Sequence, residues 1–188
     1  MGVAARKFAT YEDLVALPDN VKGEILDGVL YTQPRPRFRH ARAQATLTGR
    51  IHPQFDLGTS DVAGGWWVLP EPGIELQGSI ECSPDIAGWR RSRLPVPPPD
   101  FEPITIAPDW VCEILSPSTR NYDNEVKKPF YAKHKVEFLW IVDPQARHIL
   151  AFQLDKNQWR EIGTWRDNEH ARIEPFAELE LNLSECWA

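Results

Sequence analysis

The chain has 188 residues and a net charge of −6. This length suits a single domain over residues 1–188, and the charge excludes a protein that holds nucleic acid by overall positive charge, since Lys and Arg supply most of that affinity. The three cysteines match neither a zinc motif nor a disulfide framework, and the absence of a signal peptide or an apolar window of about 18 residues predicts a cytoplasmic protein without a membrane partner.

The first third of the chain predicts a helix, a hairpin and a second helix. Thr10 precedes acidic and then apolar residues, which is typical of an N-cap, so a short helix begins near residue 10. Asp27-Gly28 separates two β-forming runs and predicts a two-residue hairpin turn. Residues 37–55 carry apolar side chains at helical spacing, so we expect an amphipathic helix that packs on a sheet.

The middle of the chain predicts strands and one long loop. Residues 66–69, 73–76 and 80–87 have the pattern of successive strands in a β-meander. Six prolines between residues 90 and 108 exclude a regular element there. The apolar run at 110–115 is rich in β-forming residues and predicts a central strand.

The last third predicts a helix followed by strands. The helix begins near residue 118, and Pro129 must kink or restart it because proline removes a backbone hydrogen bond. Strands are expected at residues 136–142 and 148–154, with shorter ones near 158–163 and 171–182. This order of elements predicts an α/β or α+β fold in which helices flank a central mixed β-sheet.

Two carboxylates lie in predicted strands. Glu113 interrupts the apolar run, where an unpaired buried charge costs roughly several kcal/mol. Asp85 lies in the predicted strand 80–87. Adjacent strands are ~4.8 Å apart, so both carboxylates can share a Mg²⁺ ion. The alternatives are a Pro-Asp turn for Asp85 and a buried ion pair for Glu113.

A lysine and a further acid complete the candidate site. Asp123, Lys127 and Tyr131 share one face of the predicted helix. A lysine there can orient or deprotonate an attacking water and stabilise the charge that develops in phosphodiester hydrolysis. The alternative is an exposed Asp123–Lys127 ion pair. Glu24, in the hairpin, is either another metal or water-positioning ligand or an exposed strand residue.

Two segments carry a local excess of positive charge, although the net charge of the whole chain is negative. Residues 35–50 contain five arginines and no acid, and another cluster follows the Asp85 segment. A basic rim beside an acidic metal centre is a candidate nucleic-acid contact. Its predicted members are Arg37, His40, Arg90 and Arg91. The alternative is a solvated helix face and loop, with His40 as a solvated helical histidine.

Five motifs occur in a specific order. They are the segments 23–28 (GEILDG), 84–91 (PDIAGWRR), 113–119 (EILSPST), Lys127 with Tyr131, and 140–144 (WIVDP). This order resembles the Uma2 family of restriction-endonuclease-like proteins, a branch of the PD-(D/E)XK nuclease superfamily. The resemblance extends from residue 8 to about residue 185.

The resemblance implies a restriction-endonuclease-like fold and a site that binds Mg²⁺, or alternatively Mn²⁺, through Asp85 and Glu113. It also implies supporting roles for Glu24 and Lys127, nucleic acid (DNA) as the partner, and a homodimer. In the superfamily a lysine follows the second acid by two residues, where this chain has Leu115. Lys127 is therefore interpreted as a migrated substitute for that lysine.

Three hypotheses follow for the function. The first is a Mg²⁺-dependent endonuclease that hydrolyses phosphodiester bonds of DNA. The second is a non-catalytic module with a nuclease fold that binds nucleic acid or protein. The third is a structural domain that merely buries ion pairs and binds no metal.

Overall fold

The structure, a computed structural model, describes residues 8–57, 65–100 and 102–187. It is an α+β fold built around a mixed sheet of six strands. The strands are β1 (Val21–Leu26), β2 (Val29–Pro34), β3 (Trp66–Pro70), β4 (Ile86–Arg90), β5 (Trp110–Ile114), β6 (Phe138–Asp143), β7 (His148–Asp155), β8 (Gln158–Arg166), β9 (His170–Ala171) and β10 (Leu181–Asn182). The helices are α1 (Tyr11–Val15), α2 (Phe38–Phe55), α3 (Arg120–Tyr122) and α4 (Lys128–Lys133), with a π-helical turn at Asp123–Lys127 and a 3-10 turn at Leu183–Glu185.

The central sheet has the strand order β3-β4-β5-β6-β7-β8. Strands β5 and β6 are parallel, and the other neighbouring pairs in this sheet are antiparallel. A parallel pair needs a crossover connection, because the chain must return to the same end of the sheet. Here α3, the π-helical turn and α4 form that crossover. The helical segment that follows Glu113 therefore lies between the two parallel strands in sequence.

The side chains of β5 alternate between two buried faces of the sheet. Cys112 and Ile114 belong to a core that includes the apolar side of α2. Val111 and Leu115 belong to a second core that includes the β1–β2 hairpin and α4. Because successive side chains of a strand point to opposite faces, Glu113 faces the second core. Its carboxylate is thus placed on the side of the sheet where the crossover helices pack.

Several predicted elements are confirmed. Strands β1 and β2 form a hairpin with Asp27 (φ 48°) and Gly28 (φ 76°) at its turn, the two left-handed conformations that a type I′ turn requires. Helix α2 lies within the predicted range, and α4 restarts with Pro129 in its first turn, where a missing N–H costs nothing. Within residues 8–57, 65–100 and 102–187, no helix is long and apolar enough to cross a membrane.

The predicted meander over residues 66–87 forms only in part. Strand β3 pairs with β4, but residues 73–76 contribute isolated bridges instead of a strand. Strand β4 is also displaced toward the C-terminus: it begins at Ile86 and continues to Arg90, which the sequence had placed in the proline-rich loop. Pro84 explains the late start, because proline donates no ladder hydrogen bond.

Asp143 fixes the end of β6. Its Oδ1 accepts hydrogen bonds from the backbone N–H groups of Gln145 at 3.0 Å and Ala146 at 2.9 Å, and its Oδ2 accepts one from Arg120. Burial acts to raise the pKa of Asp143, but the bonds from Ala146 and Arg120 outweigh it and hold the pKa below its ordinary value. The ionised carboxylate therefore stabilises the folded state.

We expect Asp143→Ala to lower the free energy of unfolding by about 2 kcal/mol at pH 7, since it removes the buried carboxylate that accepts from two backbone N–H groups and from the Arg120 guanidinium. The pKa is lower in the folded than in the unfolded state, so the contribution is complete above the unfolded pKa of about 4 and is lost as pH falls further. Urea denaturation of both proteins between pH 7 and pH 3 measures this difference. A difference that stays constant down to pH 3 would contradict the assigned role of the charge.

Candidate active site

Asp85 and Glu113 occupy neighbouring positions at one end of strands β4 and β5. The strands are antiparallel, with Ile86 opposite Cys112. Asp85 directly precedes β4, so the same register continued by one residue brings it opposite Glu113. The backbone N–H of Ile114 donates to Asp85 Oδ2 at 2.7 Å. Asp85 is thus one residue outside the strand in which the sequence had placed it, yet it remains anchored to β5.

Helix α2 supplies the second partner of Asp85. His40 Nε2 lies 3.0 Å from Asp85 Oδ2, and Gln44 Nε2 donates to the backbone carbonyl of Asp85 at 2.9 Å. His40 is buried, so the interpretation of a solvated helical histidine is wrong. Burial acts to raise the pKa of Asp85, but the His40 hydrogen bond and the charge of Lys127 outweigh it, and the pKa lies below its ordinary value. Asp85 is therefore ionised at neutral pH.

The crossover segment brings Lys127 to Glu113. The Lys127 ammonium lies 2.7 Å from Glu113 Oε1 and 3.2 Å from Glu24 Oε1, and it donates to the carbonyl oxygen of Ser83 at 3.2 Å. Lys127 and Asp123 are both buried, so the alternative of an exposed ion pair between them is wrong. The Lys127 side chain is held between two carboxylates and has almost no exposure to solvent.

The buried charges shift one another's pKa values. Burial raises the pKa of Glu113 to about 8, although the Lys127 charge opposes this rise. Burial acts to lower the pKa of Lys127, but the Glu113 and Glu24 carboxylates outweigh it and hold the pKa well above its ordinary value. Lys127 is consequently a permanent ammonium group in the folded protein.

Glu24 also belongs to this cluster and is not an exposed strand residue. It is 1% exposed, its Oε1 accepts the backbone N–H of Ser83 at 2.8 Å, and its Oε2 accepts from Tyr122 at 3.1 Å and Gln33 at 3.3 Å. Every oxygen of Glu24 is therefore engaged by the protein. This arrangement suits a residue that positions Lys127 better than one that binds a metal directly.

Two tyrosines were not among the predicted site residues. The Tyr131 hydroxyl donates to Glu113 Oε1, and the Tyr122 hydroxyl donates to Glu24. The sequence held a signal for Tyr131, because it follows Lys127 by four residues and shares its helix face. Tyr122 gave no such signal, since its contact with Glu24 depends on how the hairpin packs against the crossover.

Two carboxylate oxygens remain free. Among the described residues no group donates a hydrogen bond to Asp85 Oδ1 or to Glu113 Oε2. Both residues line a cavity of about 610 Å³ together with Glu24 and Lys127. The cavity is therefore lined by two carboxylates, each with one oxygen that no described group engages, beside a fixed ammonium group.

This donor set fits one class of metal. In the described part of the chain no cluster of three or more Asp, Glu, His or Cys side chains is arranged to hold an ion. Zn²⁺ sites need three or four such ligands, whereas Mg²⁺ is commonly held by one or two carboxylates together with water and substrate phosphate oxygens. Asp85 and Glu113 would hold Mg²⁺ or Mn²⁺ through their free oxygens.

The predicted nucleic-acid contacts separate into two groups. Arg37 and His40 line the cavity. Arg90 and Arg91 lie at the opposite end of β4 from Asp85; Arg90 is bound to Asp109 and Glu137, and Arg91 to Asp56. Their proposed contact with nucleic acid stays a prediction, but they do not form part of the cavity rim.

Known proteins support the same fold and family. A crystal structure described as that of a putative nuclease belonging to DUF820, from Anabaena variabilis, superimposes with a TM-score of 0.69 at 21% identity, covering 95% of this chain and 97% of that one. At this identity the likeness shows the fold alone. No protein with a curated description matches the chain. The sequence profile of the Uma2 family, described as "Putative restriction endonuclease", matches residues 8–184, and the chain therefore belongs to the Uma2 family.

Proposed function

We propose that this protein is a Mg²⁺-dependent endonuclease that hydrolyses phosphodiester bonds of DNA. The observation that carries the proposal is that Asp85 and Glu113, each with one unengaged carboxylate oxygen, line one cavity with the buried ammonium of Lys127. Bound Mg²⁺ would supply Lewis-acid polarisation of the phosphate and a water of lowered pKa. The fold and family support this reaction class, and the residue roles are inferred from the contacts described above.

The pKa of Lys127 favours one of the two roles considered for it. A general base must be deprotonated before it can take a proton from water. The two carboxylates hold the Lys127 pKa well above its ordinary value, so Lys127 does not become a base near neutral pH. We infer that its ammonium instead stabilises negative charge developing on the phosphate, an interaction that is strong in a water-poor site.

Glu24 and His40 act in this proposal as positioning residues. Glu24 contacts Lys127 at 3.2 Å and limits where the ammonium can lie. His40 Nε2 and the Ile114 N–H both contact Asp85 Oδ2, and this arrangement leaves Asp85 Oδ1 available to other partners. Partners that hold a metal-binding carboxylate in place commonly affect metal affinity by about 10- to 100-fold.

Calorimetric titration with Mn²⁺ and Mg²⁺ tests the metal site. We expect the wild-type protein to bind and Glu113→Gln to lose at least about tenfold in affinity, because an amide oxygen carries no charge. Glu125→Gln is the matched control, since Glu125 is exposed on the neighbouring π-helical turn and does not line the cavity. It should bind as the wild type does.

Absence of metal binding by the wild-type protein would contradict the proposal and favour a nuclease fold that acts as a binding module. Equal losses in Glu113→Gln and Glu125→Gln would show that any ion binds to surface charge. The single domain, the homodimer and the cytoplasmic location stay predictions.

A further inference from the structure

We propose that Phe38 stacks on an unpaired base at the mouth of the carboxylate cavity, so that the substrate is single-stranded or locally opened DNA. This inference rests on the proposed function, because it names the substrate class of the same site. It comes from one residue that the fold leaves unexplained: Phe38 is 73% exposed and yet lines the cavity that contains Asp85 and Glu113.

Helix geometry accounts for the exposure of Phe38. Successive residues of an α-helix are rotated by about 100°, so Phe38 and His40 point in nearly opposite directions. His40 points inward, where it contacts Asp85 at 3.0 Å. Phe38 therefore points outward from the first turn of α2, two residues from a side chain that touches the site.

The charges around Phe38 are available to a ligand. Arg35, Arg37 and Arg39 are exposed and line the same cavity. Arg35 donates to the carbonyl oxygen of Asp19, and neither Arg37 nor Arg39 forms an ion pair with any residue that the structure describes. Three exposed arginines, none of them ion-paired with an acid in the described residues, therefore line the same cavity as one exposed phenyl ring.

The second basic segment differs in this respect. Arg90 and Arg93 are bound to Asp109, and Arg91 is bound to Asp56. A phosphate would have to displace these carboxylates, whereas it can approach Arg37 and Arg39 directly. The N-terminus of helix α2 adds to the positive potential, because the helix dipole is positive there and no acidic residue lies in the first turn to offset it. The segment 35–39 is thus the phosphate-binding part of the surface.

The phenyl ring distinguishes single strands from duplexes. In a duplex each base is stacked on its neighbours, so an aromatic side chain reaches a base face only when that base is unstacked. Proteins that bind single strands combine a basic groove with aromatic side chains on which bases stack. Arginines alternating with an exposed phenylalanine beside the proposed metal site match this combination.

Binding without cleavage tests the inference. Fluorescence anisotropy would be measured in chelator at low salt, with a labelled DNA single strand, its duplex and a strand of the same length made of abasic residues. We expect Phe38→Ala to weaken single-strand binding about tenfold and to leave duplex and abasic binding almost unchanged. Phe38→Trp should restore single-strand binding. Phe8→Ala is the matched control, because Phe8 is 64% exposed and lies at a different surface pocket.

Three outcomes would overturn the inference: unchanged single-strand binding in Phe38→Ala, equal losses for single strand and duplex, or a loss that follows dissociation of a dimer measured by light scattering. Failure of the proposed function has a different signature. If metal-dependent cleavage persists in Asp85→Asn after contaminating nucleases have been removed, the assigned metal site is wrong, while the binding comparison in chelator still reports on Phe38.

Discussion

Lys127→Met is expected to destabilise the protein by about 3 kcal/mol at pH 8, because it removes the cation that compensates two buried carboxylates. Lys127 contacts Glu113 at 2.7 Å and Glu24 at 3.2 Å, and all three side chains are almost completely buried. Methionine has a similar length and fills much of the same space. The loss of stability would therefore come from the missing positive charge and not from a cavity.

The pH dependence of this loss identifies its cause. Burial already raises the pKa of Glu113 to about 8 in the presence of Lys127, and removal of the ammonium raises it further. The folded variant then binds more protons than the unfolded chain above the unfolded pKa of about 4.3, so its stability falls as pH rises. Below about pH 8 Glu113 is protonated in both folded proteins, so the two stabilities fall in parallel; above it the wild type ionises and the variant does not. Urea denaturation at pH 6.5 and pH 9.5 should therefore show a larger deficit at the higher pH.

Two further variants make this test specific. Lys133→Met removes an exposed lysine of α4 that pairs with Asp27, and we expect a change of less than about 1 kcal/mol. The double variant Lys127→Met with Glu113→Gln should recover a large part of the lost stability, because it no longer buries that unpaired charge. A small, pH-independent loss in Lys127→Met would contradict the proposed charge balance.

Asp85→Asn is expected to lower metal-dependent DNA cleavage by roughly a thousandfold or more, since a metal ligand contributes several kcal/mol to transition-state stabilisation. The fold should survive. In the wild type the Ile114 N–H donates a hydrogen bond to Asp85 at 2.7 Å, and asparagine keeps an oxygen that can accept the same bond. Cleavage of a labelled strand in Mg²⁺ would be measured alongside thermal unfolding.

The comparison needs a control for contaminating nucleases. Glu125→Gln, purified in parallel, should cleave as the wild type does, because Glu125 is exposed outside the cavity. Cleavage that persists at the wild-type rate in Asp85→Asn would indicate an impurity or a different site. Loss of cleavage together with loss of folding would instead show that Asp85 has a structural role.

Local sequence patterns were sufficient for much of the fold. The Asp27-Gly28 turn, helix α2 and strand β5 follow from turn chemistry and apolar spacing, which act over short stretches of chain. The start of β4 was misplaced, because Pro84 interrupts pairing in a run whose apolar pattern alone resembles a strand.

The candidate residues could be named from local patterns. Asp85 and Glu113 were proposed because charged side chains rarely occur in apolar strand-forming runs, and Lys127 because it shares a predicted helix face with Asp123 and Tyr131 and follows in the motif order. The partners of these groups follow from the tertiary fold. Glu24 and His40 are buried against partners far along the chain, and Arg90 and Arg91 are neutralised by acids. Such contacts depend on the packing of distant segments, which no local pattern of residues records.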